Sequence, residues 1–333
     1  MVKKCYNRVL SELMITLLAI TLMLTCFSIT AGAEVKSTFI MGDEAGGGIT
    51  VEPDCGYGEQ ADGLKYGFMD IDDKSTLKDG RFDGFSDDII TYLKKGKING
   101  TSYVTADYDK YDVETLSKFG EGVMPVRFSI GADANAYYTV TVTVVNTSET
   151  DSTEISLFSE KRHFILYKHT LEAGETITKT WNVNLVGQYY NSSGNYNDDA
   201  INIAVAGKNA GLVSVEIEKC ENVGKTAWLL NDSTGDDVEA SLPFFDLSSR
   251  GGVGQAMAKY INPEIAICNH GEGGLKSSDT KHFDRVVENM RSGDYMFVQY
   301  GFNGETTDSL KKNLPRYHNA AHEKGVKLVV VST

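Results

Sequence analysis

The sequence predicts two successive fold classes, an all-β sandwich followed by an α/β region with a parallel sheet. Over residues 37–222, apolar residues recur with a period of two, which is typical of half-buried antiparallel strands. Over residues 225–333, short apolar runs alternate with helical patterns, and this repetition indicates parallel strands joined by right-handed crossovers. Asn222-Val-Gly224 lies between the two patterns. We therefore expect a sandwich domain over 37–222 and an α/β domain over 225–333.

The sandwich prediction is clearest where valine alternates with threonine. Val140, Val142 and Val144 fall on one face of a strand, and the threonines between them fall on the other face. Glycines such as Gly174 and Gly207 lie near the predicted turns. Many short strands with turn residues between them favour a β-sandwich.

One segment of this region departs from the period of two. Residues 57–85 are rich in glycine, aspartate and aromatic residues, which predicts a long loop or lobe on the sandwich. Four aspartates in it lack the spacing of a known calcium-binding loop, so we interpret them as solvated acidic surface. They are Asp70, Asp72, Asp73 and Asp79.

The second region divides into four predicted strands and three predicted helices. Short apolar runs indicate the strands, and apolar residues at helical spacing indicate the helices. The predicted strands cover 226–230, 264–268, 295–300 and 326–331. The predicted helices cover 253–261, 280–290 and 309–324.

Composition and charge exclude some classes of partner. The chain has 333 residues, of which 41% are hydrophobic, enough to give two domains a core each. Its formal net charge of −14 argues against binding to nucleic acid or to an anionic membrane surface, because a polyanion would be repelled. A neutral or mildly charged substrate is the better fit.

The first 33 residues have the pattern of a secretory signal peptide. Three basic residues precede an apolar core over 13–29, and Ala31-Gly-Ala33 forms an A-x-A-like cleavage site. We therefore expect cleavage after Ala33 and a secreted, extracellular protein without membrane attachment. The alternative is a single membrane anchor, since the apolar core is at the short end for a spanning helix.

Three cysteines follow the signal peptide, namely Cys55, Cys220 and Cys268. Their odd number and wide spacing predict neither a metal cluster nor a disulfide framework. A bridge between Cys55 and Cys220 is compatible with an exported protein, and the sequence leaves it open.

Residues suited to a reaction centre follow three of the predicted parallel strands. Ser233 follows the first strand, a glycine-rich segment that includes Gly274 follows the second, and Asn303 follows the third. Ligands of open parallel sheets bind outside the carboxyl ends of the strands. A serine hydroxyl, a glycine N–H and an amide at one edge are the parts of a nucleophile with an oxyanion hole. Each residue type alone is also common in turns, so the prediction depends on their agreement.

These three segments resemble blocks I, II and III of the SGNH (GDSL-type) hydrolases. The segments are Asn231-Asp-Ser-Thr234, Asn269-His-Gly-Glu-Gly-Gly274 and Gly293-Asp-Tyr-Met-Phe-Val-Gln-Tyr-Gly-Phe-Asn303. The variant is similar to rhamnogalacturonan acetylesterases and related carbohydrate esterases. This resemblance implies a flavodoxin-like, doubly wound parallel sheet over 225–333. The preceding sandwich looks like the galactose-binding-like module found ahead of such domains.

The same resemblance implies the roles of the site residues. Ser233 is the nucleophile, and the oxyanion donors are its own N–H, the N–H of Gly274 and the side chain of Asn303. No metal and no other cofactor is needed. Asn231 stands where the family usually has glycine, Phe302 where it has histidine and Gly304 where it often has aspartate. These three departures bear on activity level and substrate preference.

A fourth departure concerns the general base. The family carries an Asp-x-x-His block near its C-terminus, whereas this chain ends at Thr333, after the fourth predicted strand. The resemblance therefore implies a C-terminally truncated hydrolase whose domain is incomplete and whose activity, as it stands, is negligible. His270 lies in the second of the three segments, but a histidine there more often makes local hydrogen bonds.

The sequence thus leads to one expected function and two alternatives. The expected parent protein is a secreted serine esterase that removes acetyl groups from an acetylated plant cell-wall polysaccharide or oligosaccharide, of rhamnogalacturonan or pectin type, through an acyl-enzyme. One alternative is a non-catalytic carbohydrate-binding protein, in which aromatics such as Tyr189 and Tyr190 stack on sugars. The other is a lipase or phospholipase with the same three blocks.

Overall fold

The computed structural model describes most of the chain in seven stretches and one two-residue strand. These are residues 36–42, 47–69, 92–110, 123–160, 163–191, 194–195, 197–237 and 252–332. The predicted signal peptide over 1–33 lies outside the described residues, as do Asp70, Asp72, Asp73 and Asp79. Among the described helices, none has the length and the apolar character needed to cross a membrane.

Alternating apolar residues fold the first part of the chain into two large β-sheets around a shared core and one separate two-stranded sheet. In chain order, the strands are β1 (Lys36–Met41), β2 (Ile49–Val51), β3 (Gly58–Glu59), β4 (Lys65–Phe68), β5 (Leu93–Ile98), β6 (Thr101–Ala106), β7 (Val126–Gly131), β8 (Tyr137–Asn146), β9 (Thr153–Ser159), β10 (His163–Leu171), β11 (Thr176–Asn184), β12 (Tyr189–Tyr190), β13 (Gly194–Asn195), β14 (Ala200–Ala206) and β15 (Ala210–Lys219). A short 3₁₀-helix covers Tyr108–Lys110.

The two sheets form the predicted β-sandwich. One sheet has seven strands, with β11-β8-β15-β1-β2 as its main path and the β5–β6 hairpin joined to β15. The other has six strands in the order β10-β9-β14-β7-β4-β3. Nearly all neighbouring strands are antiparallel, and β1 with β2 is a parallel pair. Buried residues of both sheets belong to one hydrophobic core.

The valine and threonine alternation places its residues as predicted. Val140, Val142 and Val144 of β8 are fully buried in the core. On the opposite face, Thr141 and Thr143 form hydrogen bonds with threonines of β11 at 2.9 Å. A period of two therefore predicts a strand reliably where a long strand has one solvent-exposed face and one buried face.

The predicted loop over 57–85 is wrong in part, because β3 and β4 lie in it and belong to the six-stranded sheet. Tyr66 and Phe68 of β4 are buried in the core. Gly67 between them has a φ of +145°, and a Cβ there would lie 2.4 Å from the carbonyl oxygen of Gly56. A strand of four residues with such a close backbone approach is too short to show a period.

The three cysteines of the described residues are all free thiols, so Cys55 and Cys220 form no disulfide. Burial raises the pKa of Cys55 to about 11, with a contribution from Asp54. Cys268 is buried, and its thiol donates to the carbonyl oxygen of Asn184 at 3.1 Å. These cysteines therefore act as small, largely apolar side chains.

The second part of the chain alternates strands with helices. In chain order, its elements are β16 (Thr226–Asn231), α1 (Val253–Met257), β17 (Ala266–Asn269), α2 (Lys281–Asn289), β18 (Tyr295–Gln299), α3 (Thr307–Lys324) and β19 (Lys327–Val330). The four strands form one sheet in the order β17-β16-β18-β19, and every neighbouring pair is parallel. The predicted parallel sheet is thus confirmed.

One face of the parallel sheet packs against α2 and α3. Trp228 and Leu230 of β16 share a core with Val286 of α2 and Tyr317 of α3. The first helix is shorter than the predicted 253–261, because the chain turns after Met257. The N–H groups of Tyr260 and Ile261 both donate to the Met257 carbonyl oxygen, at 2.9 and 3.0 Å, and residues 258–260 form a turn instead of a regular helix.

The sandwich and the parallel sheet are joined by direct contacts, and the described residues from Lys36 onward belong to a single compact unit. The Tyr137 hydroxyl of β8 lies 3.1 Å from the carbonyl oxygen of Lys225 and 3.0 Å from that of Glu264. Burial raises the pKa of Tyr137 to about 12, so the hydroxyl stays protonated and donates. Val186, which follows β11, is part of the second core.

Replacing Tyr137 by phenylalanine should weaken this junction. The Tyr137→Phe variant removes the one hydroxyl proton that the two carbonyls share. Each carbonyl keeps another donor, the Ala266 N–H for Lys225 and the Asn182 side-chain amide for Glu264. We therefore expect the free energy of unfolding to fall by about 0.5–1.5 kcal/mol, the usual net contribution of one hydrogen bond. Urea unfolding followed by circular dichroism measures the change. Tyr260→Phe is the matched control, because Tyr260 is 79% exposed and should tolerate the loss of its hydroxyl. Equal stability of the two variants would contradict this role.

Candidate active site

The carboxyl end of β16 delivers a serine to solvent. All six residues of β16 are buried, and so is Asp232, whereas Ser233 is exposed. The backbone N–H groups of Gly235 and Asp236 donate to the Asp232 carbonyl oxygen at 3.0 and 3.1 Å. This tight turn presents the Ser233 side chain at the sheet edge, where the sequence placed the nucleophile.

The buried carboxylate of Asp232 ties this turn to the loop after β18. One oxygen accepts from the Thr234 N–H at 3.1 Å and from its hydroxyl at 2.7 Å. The other accepts from the N–H groups of Gly301 and Phe302 at 3.3 and 3.2 Å. Asp232 therefore fixes the first and third loops relative to each other.

Asn269, at the end of β17, ties the first loop to the second. Its side-chain N–H₂ donates to the Gly235 carbonyl oxygen and to an Asp237 carboxylate oxygen, each at 2.8 Å. Its side-chain oxygen accepts from the Asn231 amide at 2.9 Å and from the Gly271 N–H at 3.1 Å. All the hydrogen-bonding capacity of this buried amide is used to position the loops.

Asn231 occupies the position where the resembled family has glycine. Its side chain fills the space beside Gly271, where a Cβ would lie only 1.8 Å from the Asn231 side-chain oxygen. That oxygen is buried and has no hydrogen-bond partner among the described residues. The side chain of Asn231 in the first segment therefore requires a glycine at position 271 in the second segment.

The three predicted site residues lie on loops at the same edge of the parallel sheet. A Cβ built on Gly273 would be 3.8 Å from the Ser233 Cβ, so the second loop passes close to the serine. Gly274 is exposed with a φ of +87°, a conformation that favours glycine. The Asn303 amide donates to the Leu275 carbonyl oxygen at 2.9 Å, which places it beside the same loop. The catalytic roles of Ser233, Gly274 and Asn303 remain predictions.

Two buried histidines, His270 and His163, lie near these loops. His270 is buried against Trp228, with ring centroids 5.7 Å apart. His163 of β10 is also buried, and its Nε2 lies 2.8 Å from an Asp237 carboxylate oxygen. His163 thus links the sandwich to the first loop, a contact that the sequence does not predict. A partner 74 residues away leaves no local sequence signal.

A third histidine, His282 of α2, joins two carboxylates. Its Nδ1 lies 3.1 Å from an Asp279 oxygen, and its Nε2 lies 3.0 Å from a Glu272 oxygen. The ring is only 1% exposed. Asp279 and His282 have the Asp-x-x-His spacing of the family's last block, but they lie between the second and third segments. We call these residues the Glu272–His282–Asp279 array.

The array changes the ionisation of Asp279. Burial alone raises its pKa, but hydrogen bonding to His282 and attraction by its charge outweigh burial, with help from the N–H groups of His282 and Phe283. The net effect lowers the pKa of Asp279. Within the described ranges, no group of three or more histidine, cysteine and acidic residues is arranged to hold a metal ion.

A cavity of ≈ 210 Å³ lies apart from these loops, between the sandwich and the parallel sheet. Its wall includes Trp181 and Lys179 of β11, together with Ile265 and Ile267 at β17. Trp181 is buried, and its indole N–H donates to the Ser159 hydroxyl at 2.9 Å. Ser233, Gly274 and Asn303 are not among the lining residues.

Comparison with known proteins gives weak structural likenesses. No family model and no curated protein matches the chain. YxiM from Bacillus subtilis is similar with a TM-score of 0.36 at 17% identity, over 90% of this chain and 74% of that one. A family two carbohydrate esterase from Cellvibrio japonicus has a TM-score of 0.24 at 9% identity, covering 63% and 72%. An acetyl xylan esterase from Butyrivibrio proteoclasticus has 0.23 at 8%, covering 81% and 90%. Because these TM-scores are below 0.5, we infer neither fold nor function from them.

The lowered pKa of Asp279 predicts a pH dependence of stability. A carboxyl with a lower pKa in the folded state contributes stability above its unfolded pKa of about 3.9, and this contribution is lost as the pH falls through the folded value. Asp279→Asn should therefore be less stable than wild type near neutral pH, and the difference should shrink as the pH falls below about 4. Urea unfolding across this range measures it.

Asp284→Asn, on the exposed face of α2, is the control and should change stability little at any of these pH values. A constant difference between wild type and Asp279→Asn down to acid pH would contradict the prediction.

Proposed function

We propose that this chain belongs to a secreted serine esterase of the SGNH type, with an acetylated polysaccharide as substrate. The observation that carries the proposal is the placement of Ser233, the first exposed residue after a fully buried strand, beside the Gly273-Gly274 loop. The strand order β17-β16-β18-β19 supports the finer fold, because it has the 2-1-3-4 order of a flavodoxin-like sheet. The exposed serine and the resemblance of the three segments point to the same residue.

The proposed reaction begins with attack of the Ser233 hydroxyl oxygen on the carbonyl carbon of an acetyl ester. The resulting oxyanion accepts hydrogen bonds from the N–H groups of Ser233 and Gly274 and from the Asn303 amide. That amide has two N–H bonds, and one of them is already donated to Leu275, so the other is available for the oxyanion. The sugar leaves as a protonated alcohol, and water then releases acetate from the acyl-serine.

The general base is expected from the resemblance to the family, and we assign it to no residue of the three loops. In the resembled family it is the histidine of an Asp-x-x-His block after the fourth strand. We do not assign it to His282, because both of its ring nitrogens contact carboxylates. Assays therefore use the chain as it stands and the chain extended beyond β19 by an Asp-x-x-His segment from a related esterase.

A second candidate function is carbohydrate binding without catalysis. The cavity beside Trp181 favours it, because a cavity that combines an aromatic wall with polar and charged residues suits a small, partly apolar ligand such as a sugar ring. Saturable binding of an acetylated oligosaccharide, with no hydrolysis by the extended chain, would favour this candidate over the esterase.

Removing the proposed nucleophile should abolish turnover. In the extended chain, Ser233→Ala is expected to lose hydrolysis of 4-nitrophenyl acetate and of acetylated pectin, since only binding and oxyanion effects remain. Because Ser233 is exposed, the fold and stability should be unchanged. Ser278→Ala, another exposed serine, serves as the control. Equal activity of wild type and Ser233→Ala, or no activity in the extended chain, would refute the esterase.

Removing the amide donor should have a smaller effect. Asn303→Ala in the extended chain is expected to lower kcat by about 10²–10³, the usual loss for one oxyanion donor, with little change in KM. Asn319→Ala on the exposed side of α3 is the control. A loss seen only in KM would show that Asn303 binds the substrate and does not stabilise the transition state.

A further inference from the structure

The Glu272–His282–Asp279 array stands directly beside the proposed oxyanion loop. Carboxylates only accept hydrogen bonds, and an imidazole donates from both nitrogens only when it is protonated. The two contacts of His282 therefore fit an imidazolium between two carboxylates. Their side chains are only 16% and 13% exposed, so salt and water screen this charge interaction less than at a surface.

The array fixes the start of the Gly273-Gly274 loop. Glu272 immediately precedes the two glycines, which have no side chains to pack and wide backbone freedom. Its N–H donates to the Asn231 carbonyl oxygen at 3.3 Å, and its own carbonyl oxygen accepts from the Leu275 N–H at 3.3 Å. The contact between the Glu272 carboxylate and His282, at 3.0 Å, is shorter than both of these backbone contacts.

The separate two-stranded sheet of β12 and β13 also contacts the array. The Asn191 N–H, next to β12, donates to the Glu272 carboxylate at 2.9 and 3.1 Å. The Tyr189 ring lies edge-on to His282, with centroids 5.5 Å apart. Arg285 of α2 donates to the Asn195 side chain of β13 at 3.0 Å. The Asn191 N–H thus gives the Glu272 carboxylate a second partner besides His282, and β12 and β13 contact the helix that carries His282.

We propose that Glu272, His282 and Asp279 are positioning residues, which hold Gly273-Gly274 against Ser233. The effect on turnover rests on the proposed esterase function, whereas the placement of the loop does not. A displacement of about 1 Å in an oxyanion donor is enough to cost about 10² in rate. A two-glycine loop would tolerate such a displacement unless its neighbours prevent it.

Amide hydrogen exchange tests the placement of the loop without reference to activity. In the chain as it stands, Glu272→Gln and His282→Leu should speed exchange of the 271–276 peptide by at least about tenfold, because local opening becomes easier. Exchange in α3 should not change. His318→Gln is the matched control, because His318 is an exposed histidine of α3. Asp279→Asn, which keeps an oxygen acceptor for His282, should have a smaller effect than His282→Leu.

Kinetics of the extended chain test the consequence for catalysis. Glu272→Gln and His282→Leu should lower kcat by about 10² with KM changed by less than about twofold, since the loss falls on the transition state. Should His282→Leu fail to fold, Glu272→Gln decides both measurements, because it preserves shape and removes only charge.

The outcomes separate this inference from the esterase proposal. Unchanged exchange at 271–276 in folded Glu272→Gln would overturn the positioning role, whatever the activity. Faster exchange with unchanged kcat in an active enzyme would overturn it as well, because the loop position would then not matter for turnover. If the Ser233→Ala comparison refutes the esterase, the exchange measurement alone decides whether the array holds the loop.

Discussion

Two buried carboxylates hold the central strand β16 at its ends, and the site depends on this constraint. At the start, Asp294 accepts from the Thr226 N–H at 2.9 Å and from the Trp228 indole N–H at 2.8 Å. At the end, Asp232 organises the turn and binds the loop after β18. Because every residue of β16 is buried, the strand cannot slide without moving apolar side chains into water. The register of β16 in the sheet therefore sets the position of Ser233.

How much of the structure the sequence predicts depends on the range of the contacts. Val140 and its neighbours predict β8 because a long strand between water and core must alternate. The four parallel strands are predicted for a similar reason, since apolar runs between turn residues are a local signal. The sequence pattern does not predict the short strand β4, because four residues are too few to show a period of two. Helix α1 is shorter than predicted, because the chain continues as a turn after Met257.

The candidate site divides in the same way. Strand ends place Ser233, Gly274 and Asn303 at one edge, which is a local inference. The contacts that fix their geometry are distant in sequence or use side chains without a motif, as with His163 and Asp237. The Asp279 and His282 pair is different, because residues three apart at the start of a helix face each other. The spacing of Asp279 and His282 can be read from the sequence. Glu272, the third residue of the array, can be identified only from the fold.

The sandwich takes part in building the site through an exposed sheet edge. Strand β17 is at the end of the parallel sheet, and such an edge has unpaired backbone groups. The end of β11 and the segment after it cover this edge, since the Asn184 carbonyl accepts from the Cys268 thiol and the Gln188 amide donates to the Asn269 carbonyl oxygen at 2.8 Å. Asn269 in turn holds the first and second loops. The segment that protects the edge is therefore one hydrogen bond away from the residue that aligns the loops, and the geometry around Ser233 depends on both parts of the chain.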